Sequence, residues 1–445
     1  MDKKQRGAGV SIILFPFFCI FFSKQFSNFF FFSKRAFRFP MEAAKESSEI
    51  LNKVFNNMVL KTNIFRNRDA LRHDYIPDHL PHREDEIKYI GEVVAPLLLH
   101  NKASNLFVYG KPGTGKTAVV RFVLNALSKK AGELRANIRC VLVNSRLEGS
   151  EYRILASISR QIGLSIPFTG LATAEVFRRI VNYVKGNNLY LLIALDEVDV
   201  IVRKEGENLL YELSRINENF STHRVSFIGI SNEITFKQIL DPRILSALSE
   251  EELVFKPYTS DELFDILTER AIEAFFDAVC DPMVIKYIAA LSASEHGDAR
   301  RALDLLRVAA ETAERNGKSM ITTECVQEAL RKIERDQVNE VIKTLPIQSK
   351  ILLVSILKNL GDPKAQHTSG EIYSEYRNLV ANMGLEPLTD RRLSSLLNEL
   401  ESSGIISSKL VNMGRYGRTK KYSLSVPQSH VFEALREDAL LNGLL

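Results

Sequence analysis

The run Gly110-Lys111-Pro112-Gly113-Thr114-Gly115-Lys116-Thr117 constrains this chain more than any other feature. It fits G-x-x-x-x-G-K-[ST], with an apolar run at Leu106–Tyr109 before it and a helical period opening at Ala118 after it. A phosphate cradle needs that context. Glycines let backbone N–H groups curl around phosphate oxygens, and the following helix N-terminus adds its positive end. Residues Gly110 to Ala118 are the expected contacts of a nucleotide. Lys116 should bridge its β- and γ-phosphates, and Thr117 should ligate Mg²⁺.

Such a site needs a second strand that carries carboxylates, and Leu191-Leu192-Ile193-Ala194-Leu195-Asp196-Glu197 supplies one. Asp196, at the strand end, suits Mg²⁺ held through water, while Glu197 is placed to polarise an attacking water. Asp199 reads as structural. Further strands are expected at Ile138–Asn144, Val225–Ile230 and Leu253–Phe255, alternating with helical periods, the pattern of a parallel sheet with crossover helices.

After Tyr258 only helical patterns follow: Ser260–Phe276, Pro282–Leu291, His296–Asn316 and Thr322–Arg335. A third region has helices at Gln348–Leu360, Ser369–Met383 and Thr389–Ser403, the last opening on a Thr cap. Runs at Ile405–Val411 and Lys421–Val426 then flank a Gly-bounded turn, which completes the order of a winged helix. A chain of 445 residues has room for about three domains. The expected boundaries are 1–40, 41–257 (sheet), 258–340 (helical) and 341–445 (winged helix). A composition of 45% hydrophobic and 25% charged residues excludes wholesale disorder and a multispan membrane protein.

The net charge of +5 does not describe the body, because residues 1–40 hold seven Lys/Arg against Asp2 alone. That segment also holds 12 of the 26 Phe. It reads as a hydrophobic leader or as a start-site artefact, with Met41 opening an ordinary helical sequence to Met58. The rest balances to −1, so an anionic partner must meet a local patch. The densest patch is the turn region, where Lys409, Arg415, Arg418, Lys420 and Lys421 place five cations and no acid within 13 residues, with Tyr416 at the tip. Arg391, Arg392 and Ser394 near the preceding helix start would enter a DNA major groove while the wing reaches adjacent backbone. A solvated charged hairpin is the competing reading. Cys19, Cys140, Cys280 and Cys325 are widely separated, which suits a reduced cytoplasm without a zinc site.

With the strand ending at Ile230-Ser231-Asn232 and the later Gly297-Asp298-Ala299-Arg300-Arg301, the chain resembles the AAA+ P-loop ATPases. That resemblance implies a parallel-sheet domain with a helical lid and, here, a C-terminal winged helix. It makes Asn232 and Arg300 sensors of the γ-phosphate, with Arg301 as the fallback, and gives Arg243 of Asp241-Pro242-Arg243 a role at a neighbouring subunit's nucleotide. Within the AAA+ proteins the chain is similar to the archaeal replication initiators, relatives of the largest origin-recognition subunit and of the helicase-loading factor of eukaryotes. Tyr75-Ile76-Pro77 to Arg83-Glu84 looks like that group's segment against the adenine, and Pro257-Tyr258 to Arg270 like its entry into the lid. The insertion at Arg146–Leu171, with Tyr152, Arg153 and Arg160, matches the initiators' minor-groove element.

The resemblance implies ATP or ADP with Mg²⁺ as ligands, slow switch-like hydrolysis, and duplex origin DNA, the replicative helicase and other initiator subunits as partners. The chain is expected to be a monomer when free and a multimer on DNA, without a membrane role. A transcription or signalling regulator built on a P-loop and winged helix, and a clamp-loader-like subunit, are the alternatives.

Overall fold

The computed structural model describes residues 64–445 except Asp74, Ile76, 168–169, 221–223, 249–250, 360–366, 413–417, Ala439, Asn442 and 444–445, and except the side chains of Asn359, Asn412 and Arg418. The first 40 residues, the helix expected at Met41–Met58, Ile76, Arg415 and Tyr416 therefore lie outside the described residues. Five strands, β1 (Leu106–Gly110), β2 (Ile138–Asn144), β3 (Tyr190–Asp196), β4 (Val225–Ser231) and β5 (Glu251–Phe255), form one parallel sheet in the order β2-β3-β4-β1-β5.

The sheet is buried on both faces, which is why its central strands read as unbroken apolar runs. Successive residues alternate between two cores. Leu106, Val108, Leu192 and Ala194 pack with helices α1 (Glu84–Val94) and α2 (Lys116–Leu134). Phe107, Tyr109, Leu191, Ile193 and Leu195 face the other core. There they meet α4 (Glu151–Ile162), which follows the single turn α3 (Ser145–Glu148), and then α5 (Thr173–Gly186), α6 (Val198–Glu205), α7 (Asn208–Arg215) and α8 (Pro242–Leu248).

The helical region contains α9 (Ser260–Ala274), opened by a Thr259/Glu262 capping box, α10 (Pro282–Glu295), α11 (Ala299–Arg315) and α12 (Thr323–Thr344). Its core also takes in Ile64, Phe65, Ala70 and Leu71, so the segment before the sheet packs with the lid. Arg68 ties that segment to the buried Glu314 at 2.5 and 2.6 Å. No sequence pattern announces this long-range packing.

Helix α12 is the second difference. Nothing between Thr322 and Leu345 is Gly or Pro, and the helix runs unbroken to Thr344, with Pro346 beyond it. The expected boundary at 340/341 falls inside it. Its first half buries Cys325, Val326 and Ala329 in the lid core, and its second half buries Val338 and Ile342 in the winged-helix core. That last part comprises α13 (Ile347–Asn359), β6 (His367–Thr368), α14 (Ser369–Asn382), α15 (Asp390–Ser402), β7 (Ile406–Asn412), β8 (Arg418–Leu424) and α16 (Gln428–Arg436). Strand β6 joins the two expected wing strands in the order β6-β8-β7. Thr389 stands at the α15 N-cap without a side-chain cap bond. Among the described residues no helix is long and apolar enough to cross a membrane.

Proline at the exposed Gln337, midway along α12, should lower stability by about 3 kcal/mol in urea unfolding. Gln337→Ala should stay within about 0.5 kcal/mol of the parent.

Candidate nucleotide and DNA site

Parallel strands bring their C-terminal ends to one edge, and the expected phosphate residues gather there. Lys116 is 5% exposed, and its Nζ donates to the Gly110 and Lys111 carbonyls at 2.8 and 2.7 Å. Burial pushes its pKa down from 10.5 to about 8, against the pull of Asp196. Thr117 Oγ1 donates to Asp196 Oδ2 at 3.0 Å, so the hydroxyl and carboxylate able to share a hard cation are already adjacent. Asp196 Oδ1 accepts from the Glu197 N–H at 3.0 Å.

Glu197 sits at φ 51°, ψ 45°, a left-handed conformation that is costly for a residue with a Cβ and is found at functional sites. This bend turns the chain from β3 into α6. Glu197 Oε2 is buried without a hydrogen-bond partner. A small polar pocket of about 80 Å³ joins Glu197 to Lys116, Thr117, Asp196, Asn232 and Arg300. The buried Asp199 accepts from the Asn232 N–H at 3.3 Å, in keeping with a structural role.

This pocket adjoins a cleft of about 350 Å³ between sheet and lid, lined by Gly113, Gly115, Thr117, Ala118, Tyr75, Tyr258, Arg270 and Arg300 among others. Its far wall is the approach segment zipped onto α9. Tyr75 bonds Glu273, His79 Nδ1 lies 3.1 Å from Glu269, and His82 Nε2 lies 2.8 Å from Asp265. Those acids recur every four residues on one helical face. Arg270 stacks on Tyr75, with 4.9 Å from its guanidinium carbon to the ring centroid, and donates to the Ala70 and Tyr75 carbonyls.

Several expected residues lie elsewhere. Arg83 does not line the cleft. It is 4% exposed, stacks 3.9 Å over the Tyr258 ring, and donates to the Thr114 carbonyl at 3.1 Å and the Lys256 carbonyl at 2.8 Å. It pins the phosphate loop from behind. Thr114 is fully buried, and Lys111 and Pro112 face a separate cavity that also holds Arg301. Arg301 pairs with Glu295 at 2.5 Å, and of these two neighbours it is Arg300 that lines the cleft. Arg243 is exposed on α8, outside the cleft. Asn144 was not expected in the site but lines both parts of it. It ends β2 directly across from Asp196, a neighbour relation that only strand pairing creates.

The basic candidates form three groups. Arg153 and Arg160, seven residues apart on the exposed face of α4, have no acidic partner among the described residues, while Tyr152 donates to the Pro167 carbonyl at 2.7 Å. At the start of α15, Arg391 is exposed and Arg392 lies 3.6 Å from Glu399. In the wing, Lys409 and Lys421 are directly cross-strand partners, a like-charge pair that favours an anion between them. Lys420 instead lies 3.6 Å from Glu401, and Arg418 is placed only by its backbone.

Comparison with known proteins agrees with this architecture. Family profiles match an AAA domain at residues 99–238, a Cdc6 AAA+ ATPase-type lid domain at 264–331 and a CDC6 C-terminal winged helix domain at 340–434. The ORC1-type DNA replication protein 1 of Sulfolobus acidocaldarius is 46% identical over 390 residues, covering 88% of this chain and 97% of that protein. The chain belongs to the ORC1/Cdc6 family of DNA replication proteins. The ORC1-type protein of Pyrococcus abyssi is likewise 46% identical over 401 residues, covering 89% of this chain and 95% of its own. Among solved structures, Aeropyrum pernix ORC1 in complex with DNA superposes with a TM-score of 0.77 at 45% identity, over 86% of this chain and all of that one. Membership in the ORC1/Cdc6 family sets aside the transcription-regulator and clamp-loader readings.

Arg83→Lys should cost about 1–3 kcal/mol in thermal unfolding of the nucleotide-free protein, because an ammonium cannot reach both carbonyls and keep the ring stack.

Proposed function

We propose that this chain is an ATP-switched replication initiator, in which nucleotide held between sheet and lid sets how the winged helix grips duplex origin DNA. One observation carries the reading: Arg300 of the lid shares a pocket with Lys116, Thr117, Asp196 and Glu197 of the sheet domain. A γ-phosphate there would touch both lobes, whereas ADP would leave Arg300 without its anion.

The residues present fit a Mg²⁺ nucleotide. The glycine loop offers its N–H groups, the buried Lys116 ammonium is held ready by two carbonyls, and the Thr117–Asp196 pair offers oxygen ligands. Bound Mg²⁺ would offset charge on the β- and γ-phosphates. Glu197 Oε2, buried with a free acceptor, holds the attacking water and takes its proton. Asn232, across the same pocket, orients that water. Arg243, exposed and outside its own cleft, serves a neighbouring subunit in a multimer on DNA. Tyr75, Tyr258 and Arg270 enclose the base.

DNA contact rests on the outward Lys409/Lys421 pair, on Arg391 at the α15 start and on Arg153 and Arg160 of α4. Most of these meet phosphate and supply affinity more than sequence choice. Helix α12 carries the lid's position to the winged helix because it is buried in both cores. By this reading the initiator acts in the cytoplasm, recruits the replicative helicase and works with other initiator subunits.

Lys116→Ala should abolish binding of a fluorescent ATP analogue. Glu197→Gln should retain that binding while steady-state hydrolysis, slow already, falls by about 10²- to 10⁴-fold. A Glu197→Gln protein that hydrolyses at the parent rate removes Glu197 from the mechanism. For DNA, Lys409→Ala with Lys421→Ala should flatten the log–log salt dependence of duplex binding by roughly 1.8. Genome-wide crosslinking should place the protein at replication origins, and peaks confined to promoters would refute the initiator reading.

A further inference from the structure

We infer that Asp298 is a positioning residue: it latches the lid to the phosphate loop and so determines that Arg300, not Arg301, faces the nucleotide. The inference rests on the nucleotide reading of the cleft and adds a device to it. Asp298 is the N-cap of α11, and its Oδ1 accepts the N–H groups of Arg300 at 2.8 Å and Arg301 at 3.2 Å. The next N–H, that of Ala299, leaves the lid altogether and donates to the Gly113 carbonyl of the phosphate loop at 3.1 Å. The Asp298 carboxylate packs so closely on Gly113 that a Cβ there would overlap it, and Gly113 also has a φ of +72°. Lid and phosphate loop are thus in direct contact at the helix start that presents Arg300.

The contact belongs to a closed circuit. The Tyr258 N–H donates to the Gly297 carbonyl at 3.2 Å, and a Cβ on Gly297 would overlap the Tyr258 carbonyl. The Tyr258 ring lies under Arg83, whose Nε donates to the Thr114 carbonyl at 3.1 Å. The path therefore leaves the phosphate loop at Gly113 and returns to it at Thr114. Helix α11 cannot slide along the loop without breaking one of these links.

Two consecutive arginines at a helix N-terminus oppose its dipole, and an acidic cap offsets that cost. With the first turn held, Arg301 reaches Glu295, while Arg300 has no ionic partner among the described residues and lines the pocket. Without the cap the first turn frays, the Ala299 link weakens, and both nucleotide retention and the discrimination between ATP and ADP decline.

The test compares Asp298→Ala, Asp298→Asn and Asp281→Ala in the full chain. Asp281 caps α10 in the same lid, accepting the Met283 N–H at 2.7 Å, but lines neither part of the site. Release of a fluorescent ADP analogue is followed by stopped flow, the ATP/ADP affinity ratio by titration, and folding by thermal unfolding. Asp298→Ala should release ADP roughly five- to tenfold faster and lose most of the ATP/ADP ratio, whereas Asp298→Asn, whose amide oxygen still caps, should stay within about twofold of the parent. Asp281→Ala should lose comparable stability with unchanged release. Asp298→Gly, better tolerated at an N-cap, carries the Asp298→Ala expectation should that variant not fold. Equal behaviour of the Ala and Asn variants, parent-like release by the Ala and Gly variants, or equally fast release by Asp281→Ala would each overturn the latch. A parent protein that binds no adenine nucleotide overturns the nucleotide reading itself, a result distinct from nucleotide binding with no effect at Asp298.

Discussion

Five parallel strands must all bring their C-terminal ends to one edge, and the whole site depends on that constraint. Helices cover both faces because β1 to β4 alternate between two cores, so the strand-end edge is what remains for a ligand. Strand order then decides which residues meet. With β4 between β1 and β3, Asn232 enters beside Lys116 and Glu197, and with β2 next to β3, Asn144 comes to lie across from Asp196. The 3.0 Å bond from Thr117 to Asp196 spans the gap over β4 and closes the floor of the cradle.

The lid is attached more firmly than a linked domain would be. It holds the approach segment in its own core, it touches the phosphate loop through Ala299 and Gly113, and it continues through α12 into the winged helix. Lys343–Glu437 and Lys350–Asp438, at 2.7 and 2.9 Å, add links between the α12–α13 region and the chain end. Because α12 is buried in both cores, bending it would expose apolar surface in both.

Charge is arranged locally, as a body with a balance near zero requires. Acids at Asp265, Glu269 and Glu273 meet His82, His79 and Tyr75 along one face of α9, while Lys409 and Lys421 confront each other across the wing. The first arrangement is satisfied within the chain. The second sets like charges side by side, with Glu371 as the acid near Lys421. Exposed pairs three residues apart, such as Lys130–Glu133, Arg178–Glu175 and Arg215–Glu218, contribute little to the fold.

Local rules made much of this legible in advance. The phosphate loop, Asp196, Glu197, four of the five strands to within a residue, and the three-part order of sheet, lid and winged helix all follow from periodicity and short motifs, because each depends on neighbours in the chain. Gly113 and Gly115, picked out by their spacing, both line the cleft. The linear pattern could not reveal that Arg83 would be consumed by carbonyls of Thr114 and Lys256, or that residues 64–71 would join the lid. Each of those outcomes is a contact between segments tens to hundreds of residues apart, selected by which apolar faces and which unpaired carbonyls remain once the sheet has formed. Residue types and their spacing determined what chemistry was available to this protein; packing decided which of two adjacent arginines faces the cleft, because only the folded chain puts Glu295 within reach of Arg301 and leaves Arg300 free.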